Sequence, residues 1–290
     1  ADHGIVALDP GVHLISKSIS IQKPIRVVTH GLDENSPPCA DNADGRCAVI
    51  RAFSTVEDVS RGLFRIISNE VELNRIVIDG NKAQRYSSPE TKGCQSGDNS
   101  YGKNIVLDFE LSNSFSLIGI TSTNALCGTA AEIRAGKDLK IIDSYFTNNG
   151  AHNLQNLWSD GLTIWSAVNA TITGNQFNDN SDVDVIIGGC INCNISGNTV
   201  RHGTGFASSS FAAMMFAAFP PYGMGDFSGS KITGNLVDCG NFRCGFGFMI
   251  GALPWSMAPT TGGLYVDNQI IGAQAGILIN DATDANVPIQ

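Results

Sequence analysis

Residues 158–202 read WSDGLTIWSAVNATITGNQFNDNSDVDVIIGGCINCNISGNTVRH, two similar segments back to back. SDGLTIW leads to NATITGNQF, and SDVDVIIGG leads to NCNISGNTV. Asp160 and Asp182 open the segments 22 residues apart, and Asn175 and Asn198 stand 23 apart in matching I-[TS]-G-N turns. Short β-prone runs that alternate with Gly/Asn turns at such a period mark a solenoid. If the segments stack as successive coils, their opening carboxylates stack on one face.

The same unit extends outward in both directions. Asn235 and Asn268 continue the series in GN and DN turns, 37 and 33 residues further on, one coil plus variable loops. Gly and Asn tolerate the positive φ that such turns need, and stacked Asn amides can hydrogen-bond from coil to coil. Upstream, GIVALDPGVHLISKSISIQKPIRVV, GLFRIIS, NEVELNRIVIDGNK, NIVLDFE, SFSLIGITSTN, AAEIRAG and DLKIIDSYFTNN read as short strands; downstream, SKITGNLVD, GFGFMIG, LYVDNQI and GILIND do the same. FASSSFAAMMFAAF suits a helix by composition, but its place in the coil order makes it a strand. These elements predict an all-β solenoid of about eight or nine coils, with one domain over 1–290. Loop insertions are expected near 33–47, 82–103 and 149–158, the second a polar, breaker-rich surface loop able to wall a groove.

Composition narrows the function classes. The chain has 290 residues, 42% hydrophobic, only 16% charged, with 32 glycines and a net charge of −9. That balance argues against nucleic acid or an anionic membrane as the main partner. The longest apolar run, FAAMMFAAFPP, is too short to span a bilayer. Eight cysteines fall into the close pairs Cys39/Cys47, Cys190/Cys193 and Cys239/Cys244, with Cys94 and Cys127 left over. The even count favours disulfides formed in an oxidising compartment over zinc thiolates, and at least Cys39–Cys47 and Cys239–Cys244 are expected to be bonded. Ala1 is read as a mature terminus, and the cysteine pattern makes the expected location secreted or periplasmic. D-N-A-D-G in the 33–47 loop shares part of a calcium-loop pattern but lacks its later acidic ligand, and is read as a solvated turn.

With the Asn series and loop insertions in view, the chain resembles the right-handed parallel β-helix proteins of the pectate-lyase-like superfamily. The resemblance covers nearly the whole chain and implies that fold, which serves lyases, hydrolases, epimerases and phage tailspikes alike.

Alternate residues of a strand share a face. With Leu162, Ile164, Val183, Val185, Ile187 and Ile133 directed inward, the outer face carries Glu132, Arg134, Asp160, Trp165, Asp182 and Asp184. His202 opens the following coil and Trp158 sits on the rim. Three clustered carboxylates call for a cation, a substrate or a shared proton. Calcium is a candidate on the Asp cluster; no other cofactor is expected. Exposed tryptophans beside carboxylates suit sugar stacking, although Trp165 also suits packing under a loop.

The order W-S-D-G (Asp160), N-S-D-V-D (Asp182) and R-H-G (His202), at one-coil intervals, is similar to the polygalacturonase family of inverting glycoside hydrolases. The resemblance implies that Asp160 and Asp182 hold and activate water while His202 assists. Ser181 stands where the family has its proton donor, which leaves Asp184 to supply the acid or makes the reaction a different one. No R-x-K follows; Lys231 and Arg243 are the candidates for that role. Three functions remain open. The first is a secreted hydrolase of a polysaccharide or oligosaccharide. The second is a polysaccharide lyase or uronate epimerase, for which a cation (Arg134, Lys231 or calcium) must neutralise the uronate. The third is a non-catalytic carbohydrate-binding β-helix. The sequence does not fix an oligomeric state.

Overall fold

A computed structural model describes residues 4–40, 45–97, 99–108, 113–151, 157–203, 210–251, 256–280 and 282–283. The strands stack into three parallel sheets of ten, nine and nine strands, with a small three-stranded sheet at one turn. Apart from the strands at the ends of each sheet, every strand pairs with the equivalent strand one coil before and one coil after. Ser159–Ile164, for example, pairs with Gly128–Ile133 on one side and Val183–Ile187 on the other. This is a right-handed parallel β-helix of about nine coils.

The interior is built from like residues in register. Leu117, Ile141, Ile172, Ile195 and Ile232 form one aliphatic column. Phe146 and Phe177 stack at 5.1 Å with nearly parallel rings. Turns use the residues that tolerate a left-handed backbone: Asn148, Asn169, Asp179 and Asn192, with Gly174, Gly197 and Gly234 each just before an Asn of the interior series.

That series is a continuous ladder. The Nδ2 of Asn175, Asn198 and Asn235 donates at 2.9 Å to the Oδ1 of Asn198, Asn235 and Asn268 respectively. The same Oδ1 atoms accept the backbone N–H of Asn175, Asn198 and Asn235. The side chains of Asn175, Asn198 and Asn235 are buried, and the ladder supplies partners that water cannot.

All eight cysteines are paired: Cys39–Cys47, Cys94–Cys127, Cys190–Cys193 and Cys239–Cys244. Ser210–Phe216, the Ala/Met-rich segment, is a strand. The 82–103 insertion differs from expectation. It carries helical turns at Lys82–Arg85, Pro89–Gln95 and Asn99–Gly102, with Pro89 in the first turn, where its missing N–H costs nothing. Cys94–Cys127 fastens it to the coil, and the fully buried Arg85 donates to the carbonyls of Gly80 and Tyr101. Half of the 149–158 insertion, residues 152–156, lies outside the described residues.

Candidate active site

One nine-stranded sheet positions the site. Its strands include Gly128–Ile133, Ser159–Ile164, Val183–Ile187, Ser210–Phe216 and Cys244–Ile250. Along each of the first four, two consecutive residues turn inward where alternation predicts one. Ala130 and Ala131, Leu162, Val185, and Ala213 and Met214 all belong to the main core. A Cβ on Gly161 would meet the Asn180 side chain at 2.9 Å and the Phe177 ring at 3.0 Å, so this position faces inward too.

This bend separates the predicted carboxylates. Asp160 lies on the outer face, where its carboxylate accepts the Thr163 hydroxyl at 2.8 Å and the backbone N–H of Val183 at 3.2 Å. Asp182 follows on the next coil, its own N–H bonded to the Ser159 carbonyl. Both are partly exposed. Asp184, read from the sequence as outward, points inward and is fully buried. There it accepts the Asn180 amide at 2.8 Å and faces His202 Nε2 at 2.9 Å. His202 is buried as well. It bonds to Asp184 beneath the outer face, and does not stand beside Asp160. Among the described residues no group of three or more His, Cys, Asp or Glu is arranged to hold a metal ion.

The electrostatics follow from this arrangement. Burial, then the neighbouring Asp182 charge, pushes the Asp160 carboxyl well above the usual range, although the Thr163 and Val183 bonds oppose this. Burial pushes Asp182 up to about 6. Burial alone would lower His202, but the charge of Asp184 and the bonds to Asp179 and Asp184 outweigh it, and its pKa rises to about 9. Burial pushes the Asp184 carboxyl up in turn; with Asp184 and Asp179 beside it, His202 is held towards the imidazolium at neutral pH and is a poor general base.

Charges upstream of the pair form a network only half visible in the sequence. Glu132 takes Lys103 on one oxygen and Arg134 on the other, at 2.9 Å for Arg134. Asp108 takes Arg61 at 2.9 Å, Arg65 at 2.8 Å and Arg134 at 3.4 Å. Glu132 and Arg134 were expected on this face. Lys103, Asp108, Arg61 and Arg65 were not, because the 82–103 insertion hides the coil spacing that would have aligned them.

The remaining candidates are scattered. Trp158 is 51% exposed at the rim of a cleft of about 750 Å3 that also includes Asp182. Trp165 is half-buried, with its ring against the edge of Phe219 at 5.5 Å and near Tyr222 at 6.3 Å. Lys231 lies exposed on the ten-stranded sheet, paired with Asn194, and not beside the acids. Ser181 is buried, its hydroxyl accepting the Ser159 N–H at 3.0 Å, which occupies it as part of the backbone scaffold.

No protein-family model matches the chain, and no curated protein matches it. Among solved structures, an alginate lyase from Paenibacillus sp. str. FPU-7 is similar over 96% of this chain and 92% of its own, with 13% identity and a TM-score of 0.50. The A-module of the mannuronan C-5 epimerase AlgE6 from Azotobacter vinelandii is similar over 100% and 92%, with 11% identity and a TM-score of 0.40. The Dettilon tailspike protein is similar over 95% and 63%, with 11% identity and a TM-score of 0.38. The architecture is thus a right-handed parallel β-helix, the fold shared with that alginate lyase.

Proposed function

We propose that this chain is a carbohydrate-active enzyme whose Asp160–Asp182 pair cleaves a polysaccharide or oligosaccharide, by glycoside hydrolysis with inversion. The observation that carries the reading is the pair itself: two carboxyls on adjacent coils of the outer face, each with a raised pKa. Such a pair retains one proton at mildly acidic pH. The protonated carboxyl protonates the glycosidic oxygen and the ionised one activates water. Four disulfides support a secreted or periplasmic setting.

A second reading, lyase or uronate epimerase, has its own support. Beside the pair, and among the described residues, four cations (Arg61, Arg65, Lys103 and Arg134) meet two carboxylates, Asp108 and Glu132. That positive excess suits a uronate whose C5 proton is to be abstracted. Product analysis on a panel of neutral and uronate polysaccharides separates the readings. Hydrolysis releases reducing ends without ultraviolet absorbance, and the anomer first formed reports inversion. A lyase gives unsaturated, absorbing ends, and an epimerase changes sugar composition with no new ends. No change in any polymer would set both readings aside.

A further inference from the structure

The outer face of the site sheet changes chemistry along the solenoid, and Asp182 stands at the boundary. One column of residues in register runs Glu132, Thr163, Ile186, Met215, Met249, Leu278. Its neighbour runs Thr129, Asp160, then Val183, Ala212, Phe246, Ala275. Val106 precedes Glu132 in the first column; from Glu132 and Thr129 to the acid pair both columns are polar or charged, and beyond it both are apolar. Val183, Ala212, Met215, Ala217 and Met249 form a hydrophobic cluster separate from the main core, with Phe211, Phe219 and Phe246 packed against it.

The cleft that contains Asp182 lies over this apolar side, floored by Val183, Ile186, Met215, Phe211 and Phe246. Its polar lining is largely engaged already. Ser181 accepts the Ser159 N–H, Ser210 Oγ lies 3.0 Å from His202 Nε2, and Gln274 donates to the Phe242 carbonyl at 3.1 Å. A bare sugar ring seated here would desolvate several hydroxyls against hydrocarbon, at about 1–3 kcal/mol for each one left unmatched. An apolar group would instead gain from the burial.

We infer that this cleft is a subsite for an apolar substituent, acyl or aryl, carried next to the scissile bond, so that the preferred substrate is a hydrophobically substituted saccharide and not a bare one. The inference rests on Asp160–Asp182 being the reacting pair, and it adds the substrate class. Continuity of the cleft with Asp182 places the substituent on the C-terminal side of that pair, opposite the cationic network.

The test has a binding arm and an activity arm. Octyl glucoside below its micellar concentration, with methyl glucoside as control, is titrated against the wild-type protein by intrinsic tryptophan fluorescence, for which Trp158 is placed at the cleft. Octyl glucoside should bind at least tenfold tighter. Ile186→Thr, which installs the residue that Thr163 supplies one coil earlier, and Phe211→Ser should each narrow the gap to threefold or less. Equal binding of the two glucosides by the wild type overturns the subsite, and so does an undiminished gap in both variants. In the activity arm, O-acetylated, aryl-esterified and alkali-deesterified samples of the cleaved polysaccharide are compared. Preference for either esterified form supports the subsite and identifies the substituent. If Asp160→Asn and Asp182→Asn abolish cleavage while all three samples react equally, the subsite falls and the catalytic pair stands. If both variants still cleave and still prefer the esterified form, the pair falls and the subsite stands.

Discussion

Asp184 Oδ2 and His202 Nε2 meet at 2.9 Å with neither side chain exposed to solvent. Asp179 approaches the other ring nitrogen at 3.6 Å. A charged pair sealed in a protein interior persists only when its remaining bonding capacity is met. Asn180 meets that of Asp184 and is itself bonded to Asn149 at 2.7 Å, so a second run of interior amides ends on this ion pair. Ser210, on the rim of the cleft, touches the same imidazole. The pair thus links the floor of the groove to the solenoid interior.

The first prediction concerns stability against pH. A His whose folded pKa lies above its unfolded value of about 6.5 stabilises fully below that value. The stabilisation is lost as pH rises through the folded value, about 9. The shift corresponds to about 3 kcal/mol. Asp160, Asp182 and Asp184, whose folded values burial also raises, lose stability with rising pH too, through about 6 for Asp182. The melting temperature should therefore fall between pH 6.5 and 9.5, and His202→Gln should abolish that limb while keeping the one below it. A wild-type melting temperature that is flat from pH 6.5 to 9.5 would show that His202 is not held as a cation.

The second concerns the ladder. The Asn198 side chain donates to Asn235 and to the Ile172 carbonyl, and accepts from both nitrogens of Asn175. Asn198→Leu removes all four bonds and strands buried partners on two coils, at a cost of roughly 3 kcal/mol. Chemical unfolding should show that loss. Asn169→Gly, at an exposed turn whose positive φ glycine keeps without strain, serves as the control and should cost much less. Equal losses for the two variants would deny the ladder any special role.

The third concerns Cys94–Cys127, which closes the longest of the four loops, 33 residues. The chain-entropy model assigns such a closure roughly 3–4 kcal/mol. Replacing both cysteines by serine should lower the melting temperature and open the 82–103 insertion to proteases first, because the disulfide ties its second helix to the coil. An insertion that resists proteolysis as well as in the wild type would mean that Arg85 and its carbonyl partners suffice.

The fold was legible because each coil needs the same few things: a left-handed turn, an interior amide and an inward aliphatic residue. Gly174-Asn175 and Gly197-Asn198 announce all three. The site was legible only in part, because simple alternation assumes a straight strand. At the bend, Asp184 and Val185 both face inward, and nothing in DVDVII marks that. Lys231 was misplaced for another reason. It immediately precedes ITGN, as Asn194 precedes ISGN, and that position belongs to the ten-stranded sheet on every coil; the information was present but belonged to another face. Lys103 and the arginines around Asp108 were obscured by the helical insertion, which breaks the count of residues per coil.

The last prediction is the pH–rate profile of the acid pair. Two interacting carboxyls release their protons in steps that belong to the pair, not to either residue. Chemistry needs the singly protonated form, so the rate should peak between the two steps. It should fall on the acid side with an apparent pKa near the Asp182 value of about 6, and on the alkaline side as the last proton leaves Asp160. Asp160→Asn removes the partner charge, and Asp182→Asn removes the group that faces the cleft. Each should cut kcat by about 10² or more, with KM changed far less and melting temperature preserved. A Thr163→Val variant adds a graded case. It deletes the hydroxyl that holds the Asp160 anion, so the carboxyl should ionise less readily and the alkaline limb should move to higher pH. A profile that neither bends near pH 6 nor responds to Thr163→Val, with both Asn variants fully active, would move the chemistry off this pair altogether.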